Sequence, residues 1–148
     1  MRALQTVRLD IEVNAPLRFV FDWCTDFTED DPKLIGSTRQ RHILERSGRK
    51  VIFAQTWTNG EGKMLVTANI VTLKPPNSWH LEMFGTERNE TGVYKLKRLG
   101  KEKTLIQLVF KNKWRNPQTA ESVDSQIKRI REIWSKYSAA LESDYRPM

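Results

Sequence analysis

The sequence has one cysteine, Cys24, two histidines, and no apolar run approaching the roughly 20 residues of a membrane span. Each absence removes a class of protein. A single cysteine cannot close an intrachain disulfide, so nothing points to an oxidised, secreted scaffold. Two histidines and one cysteine, widely separated, do not make a zinc site. No Gly-x-Ser-x-Gly elbow, Walker A loop or Rossmann fingerprint is present, so elbow-type hydrolase, phosphate-loop and dinucleotide chemistry lack support. Internal repeats, low-complexity runs and linkers are missing too. Met1 to Asp10 carries no apolar signal-peptide segment, and we expect a cytoplasmic protein.

What is there suits one domain, residues 1–148. A chain of this length buries roughly 70% of its unfolded surface, and 39% hydrophobic residues support a real core. The net charge is +7. The densest basic stretches, Arg46 to Lys50, Lys95 to Lys103 and Lys111 to Arg115, fall at expected hairpin turns and strand ends, where a solvated surface carries Lys and Arg. A basic face that docks on RNA, a ribosome or an acidic partner is the alternative.

Val7, Leu9, Ile11 and Val13 alternate with Arg8, Asp10 and Glu12, the period-2 pattern of a strand with one dry face. Asn14-Ala15-Pro16 stops it, and Pro16 suits the first position of a helix. Leu17, Val20, Phe21 and Cys24 follow at helical spacing. An acidic, turn-rich stretch comes next, in which Asp31-Pro32 starts a second short helix. Its group Asp26, Glu29, Asp30 and Asp31 lacks the spacing and central glycine of a calcium loop. We read it as a capped, solvated loop between the short helices. From Arg39 to Lys113 strand-like runs alternate with turn signals, giving expected strands at 39–46, 50–58, 63–73, 78–86, 90–99 and 103–113. Asn116 and Pro117 then read as the cap and first residue of a long helix over 117–144. Along it Val123, Ile127, Ile130, Trp134, Tyr137 and Leu141 form one apolar stripe.

This order of elements resembles the START-like, helix-grip (SRPBCC) superfamily, including its polyketide cyclase/dehydrase and lipid-transport members. The resemblance rests on the strand ending in Asn14-Ala15-Pro16, the Phe19-Val20-Phe21-Asp22-Trp23 helix with Thr25-Asp26 after it, and the Thr91-Gly92-Val93-Tyr94-Lys95-Leu96 strand before the Gly100 turn. It covers essentially the whole chain. It implies an α+β fold in which a curved antiparallel sheet of about seven strands wraps a long C-terminal helix, with a deep, largely apolar cavity between them. Lipids, quinones or polyketide-like molecules are the ligands it implies. No cofactor is implied.

Against that expectation the residues sort by face. Val51, Phe53, Gln55 and Trp57 project to one side of their strand, which sets the polar Gln55 among aromatics and calls for a partner or a ligand. Tyr94 and Leu96 alternate with Val93, Lys95 and Lys97, so Tyr94 faces inward. Trp79, Leu81 and Met83 share the core side of their strand, leaving His80 and Glu82 outside. His42 gives no clearer signal. The candidate ligand-binding residues are therefore Phe53, Gln55, Trp57, Tyr94, Ile127, Ile130 and Trp134. No catalytic residue is assigned. An enzyme of cyclase or dehydratase type is the second reading, and it requires at least two of Tyr94, Gln55 and His80 to converge in one cavity.

Overall fold

The computed structural model describes residues 4–146. The expected alternation at the start builds β1, Gln5–Val13, with Val7, Leu9 and Val13 buried. Pro16 holds an extended conformation immediately before α1, Leu17–Cys24, so it flanks the helix instead of opening it. The Thr104 hydroxyl donates to the Ala15 carbonyl across 2.8 Å and ties that turn to the sheet. The acidic stretch forms α2, Asp31–Leu34, with Pro32 in its first turn.

Six strands follow: β2 Gln40–Ser47, β3 Lys50–Thr58, β4 Met64–Lys74, β5 Ser78–Gly85, β6 Arg88–Gly100 and β7 Lys103–Trp114. They match the six expected runs to within two residues at each end. Five tight reversals make them a meander, and β1 closes against β7, giving one antiparallel sheet in the order β1-β7-β6-β5-β4-β3-β2. The register puts Val51, Phe53, Val71, Trp79, Leu96, Ile106, Leu108 and Phe110 on the face that meets the helices. Gly92 shapes that face. A Cβ there would lie 2.8 Å from the Phe110 ring, so only glycine lets this ring lie across β6.

The long helix α3 spans Val123–Tyr145 and buries Gln126, Trp134 and Leu141. It starts six residues later than the sequence suggests, and runs roughly 34 Å at 1.5 Å per residue. The reason is local. Asn116 spends its side chain on a turn, accepting from the Gln118 N–H at 3.0 Å, and Pro117 belongs to that turn. Ser122 caps α3, accepting from the Ser125 N–H at 3.1 Å.

The N-terminal turn of α3 is locked onto the sheet by buried amides. Asn112 donates to Gln126 (2.7 Å), Gln126 donates to Gln5 (2.7 Å), and the Trp114 indole N–H reaches both Gln5 and Asn112 at 3.1 Å. At the other end the Trp23 indole donates to Asp144, and the Asn14 backbone N–H donates to Glu142, each at 2.8 Å. The helix is thus held at both ends and spans the concave sheet between them.

Candidate functional site

Held at its ends, α3 leaves an internal space over the middle of the sheet. It is a cavity of about 430 Å³. Its floor comes from inward positions of β3 to β7, among them Phe53, Val71, Trp79 and Phe110. Its roof is Ile130, Ile133, Trp134 and Tyr137 of α3, with Trp23 and Phe27 at the side.

The walls carry eight aromatic rings, and these are packed against one another. Trp79 and Tyr94 stack at 4.8 Å, and Tyr94 meets Phe110 edge-on at 5.5 Å. Trp134 and Tyr137 sit edge to face at 5.5 Å, and Phe27 stacks on Phe53 at 5.7 Å. Such contacts fix ring orientation, so the wall is preformed.

Polar groups interrupt it at two places. Arg41 is the centre of the first: its Nε donates to Gln55 at 2.9 Å and its terminal nitrogen to Asp31 at 2.7 Å, while its guanidinium stands 4.3 Å from the Phe53 ring centre. Burial pushes the Arg41 guanidinium down from its usual range, and the Asp31 charge and hydrogen bond oppose that. At the second place Arg88 faces Glu90 at 3.5 Å and lies over the Trp114 ring. Asn112 donates to the same Glu90 carboxylate at 3.2 Å. No hydrogen bond begins or ends on the Tyr94 and Tyr137 hydroxyls among the described residues.

Burial above all raises the Tyr94 phenol, with Glu90 adding to it, so Tyr94 is a neutral donor at any ordinary pH. Burial also raises the Cys24 thiol, with the Asp31 charge adding to it. Cys24 lines the cavity as a thiol, lacking the thiolate character that a nucleophile needs. No group of three or more metal-ligating side chains comes together among the described residues.

Five of the seven residues singled out from the sequence line this cavity: Phe53, Gln55, Tyr94, Ile130 and Trp134. Two do not. Trp57 has the right strand face but lies two residues further along β3, where the Arg39 guanidinium covers its ring at 3.8 Å. Ile127 packs against the core two residues before Arg129, the first α3 residue that lines the cavity. His80 is on the outer face of β5, where desolvation and then Lys74 and Lys95 lower its pKa, and it does not reach the cavity. Sequence reasoning missed Arg41, Arg88, Glu90 and Arg129. Arg88 and Glu90 carried a usable signal, since they share the parity that placed Tyr94 inside.

Solved structures share this arrangement from end to end. The model superposes on a START superfamily protein from Mycobacterium smegmatis with a TM-score of 0.78 at 17% identity, over 93% of this chain and 97% of that one. The chain has the START-like, helix-grip fold. An aromatase/cyclase, Zhui, from a Streptomyces species matches with a TM-score of 0.72 at 13% identity, over 97% of this chain and 94% of that one. A major latex-like protein from Panax ginseng matches at 0.71 and 8% identity, over 97% and 99%. No protein-family model and no curated protein matches the sequence. No helix among the described residues is long and apolar enough to cross a membrane.

Proposed function

We propose that this START-like domain, residues 1–148, binds a hydrophobic or amphipathic small molecule, such as a lipid, quinone or polyketide-like compound, between its sheet and α3. The observation that carries the reading is the preformed aromatic cavity of about 430 Å³, a size suited to holding a small organic ligand. A ligand that buries about 300 Å² of apolar surface gains roughly 7 kcal/mol before association costs, at about 25 cal/mol per Å². The unpartnered hydroxyls of Tyr94 and Tyr137 supply orientation. Phe53, Gln55, Tyr94, Ile130 and Trp134 are the proposed ligand contacts. Binding or transport in the cytoplasm is the role that fits.

Catalysis of cyclisation or dehydration is the second reading. Tyr94 and Gln55 do share the cavity, which favours it. The binding reading stands ahead because the Asp31 carboxylate is engaged by Arg41 and Glu90 is held by Arg88 and Asn112. Neither of these two carboxylates is free to act as the base that acid–base chemistry needs.

Native mass spectrometry of protein from its own host, with tryptophan quenching by a lipid and quinone panel, tests the proposal. Trp23, Trp79 and Trp134 line the cavity and report on its occupancy. We expect a retained mass or saturable quenching. Neither, across the panel, would overturn it.

A further inference from the structure

Arg88 and Arg129 line the cavity, and Arg39 lies toward the same end of the sheet as Arg88: Trp57, which Arg39 covers, pairs with Leu65 of β4, and the adjacent Val66 carbonyl accepts from the Thr86 N–H just before β6. Arg39 immediately precedes β2, whose Gln40 pairs with Thr56, and its guanidinium lies over the Trp57 ring at 3.8 Å from the centre. Arg88 arrives from the first position of β6 and Arg129 from α3, and both line the cavity. Arg88 has Glu90 beside it, and Arg129 has Glu121 at 2.9 Å.

Arg39 differs from both. It makes no ion pair among the described residues, and its side-chain N–H groups take no protein acceptor there. Stacking on Trp57 fixes the plane of the guanidinium while leaving its donor edge unused. Desolvation disfavours its charge, and the fields of Arg88 and Arg129 act on it more strongly than the opposing field of Glu87. Among the three, Arg39 is therefore the guanidinium without a paired carboxylate, its donors open to an incoming anion.

We propose that Arg39, Arg88 and Arg129 form an anion receptor at the cavity mouth, and that the ligand is an amphipathic acid. Its carboxylate or phosphate sits among the guanidiniums and its apolar body enters the aromatic cavity. This rests on the cavity-binding reading above and narrows it. Trp57, which the sequence marks as a ligand contact, becomes a positioning residue that holds Arg39 flat. An anion at this point relieves the mutual repulsion of the three cations, and arginine forks match either head group in bidentate geometry.

The test uses the full chain loaded with 1-aminoanthracene, a neutral fluorescent probe. Dodecanoic acid, monododecyl phosphate and dodecanol are then titrated in as displacers of equal chain length. We expect at least one of the two anions to displace the probe at about tenfold lower concentration than dodecanol, and the better of the two identifies the head group. That preference should shrink three- to tenfold in Arg39→Gln, shrink likewise in Trp57→Leu, and fall with added salt. Arg39→Gln removes no side-chain hydrogen bond among the described residues and gives up only the contact with Trp57, so its thermal midpoint should stay within about 4 °C of wild type. Equal displacement by all three compounds, or an anion preference that survives in Arg39→Gln, overturns the receptor while leaving the cavity reading intact. Failure of the probe and of every displacer to bind overturns the cavity reading itself.

Discussion

Replacing Arg41 by methionine keeps most of the aliphatic stem and removes the charge at the centre of the first polar group. The change deletes the 2.7 Å bond to Asp31, the 2.9 Å bond to Gln55 and the guanidinium over Phe53. What it leaves behind decides the cost. The Arg41 side chain is 10% exposed and that of Asp31 is 23% exposed, so the pair is nearer the buried limit than the surface one. Breaking a buried pair costs about 3–5 kcal/mol and a surface pair about 0–1 kcal/mol. Asp31 keeps both bonds from Thr28, which limits the damage. We expect a loss of about 2–3 kcal/mol in urea unfolding, and a fall in Tm of roughly 5–10 °C for a chain of this size. A double-mutant cycle with Asp31→Asn isolates the pair, and its coupling should be about 1–2 kcal/mol. The same pair anchors α2 to β2 over the cavity, so a bound neutral probe should also leave the variant faster. A coupling of less than about 0.5 kcal/mol would refute the reasoning, because Arg41 would then contribute through packing alone.

Three other substitutions follow from the same geometry. Gly92→Ala drives a Cβ into the Phe110 ring and should cost about 1–3 kcal/mol in urea unfolding, with the near-ultraviolet aromatic signal altered as that ring moves. Tyr94→Phe breaks no hydrogen bond among the described residues, so its stability should stay within about 0.5 kcal/mol of wild type. Its affinity for a ligand that accepts from that hydroxyl should fall about three- to tenfold in tryptophan quenching, the worth of one neutral hydrogen bond. Burial pushes the Glu121 carboxyl up, but hydrogen bonds and charge from Arg129 outweigh it and hold the group below the ordinary carboxylate range. A depressed folded-state pKa stabilises above the unfolded value, near 4.5, and that contribution is lost as pH falls through the folded value. Arg129→Gln should therefore lower stability at neutral pH, where that contribution is fully present, and flatten the acid limb of a stability–pH curve below about pH 4.5.

The sequence and the structure agree wherever one period decides the matter. The alternation of Val7 to Val13, the inward parity of Phe53 and Gln55, and the outward placing of His80 all come from a two-residue repeat that local contacts do not disturb. Period gives the face and not the depth. Trp57 has the parity of Phe53, yet it does not line the cavity, and nothing in β3 itself encodes where α3 crosses. The start of α3 was misplaced for a related reason. Asn116-Pro117 has good capping chemistry, but the helix begins where the Gln126 amide meets Asn112 and Gln5, partners that are 14 and 121 residues away in sequence. Arg41 was hidden most fully. On a strand whose residues are otherwise largely exposed, one inward arginine looks like the surface.

Those hidden charges also explain how such a cavity is tolerated. An apolar void costs roughly 24 cal/mol per Å³, so about 430 Å³ of dry space would cost about 10 kcal/mol. That equals the whole stability of an ordinary domain. A wall that included only the aromatic residues would therefore collapse or stay permanently filled. Arg41, Asp31, Gln55, Arg88 and Glu90 offer water several partners along the cavity, and polar cavities of this size hold water where apolar ones stay dry. Water can then yield to an apolar ligand body, while the polar groups retain their protein partners and incur no new desolvation without compensation. The same side chains that sequence patterning fails to place inside are thus the ones that let the protein exist between ligands. Replacing both members of the Arg41–Asp31 pair with leucine should on this argument raise stability and reduce ligand exchange together, as the emptier, drier space closes in on itself.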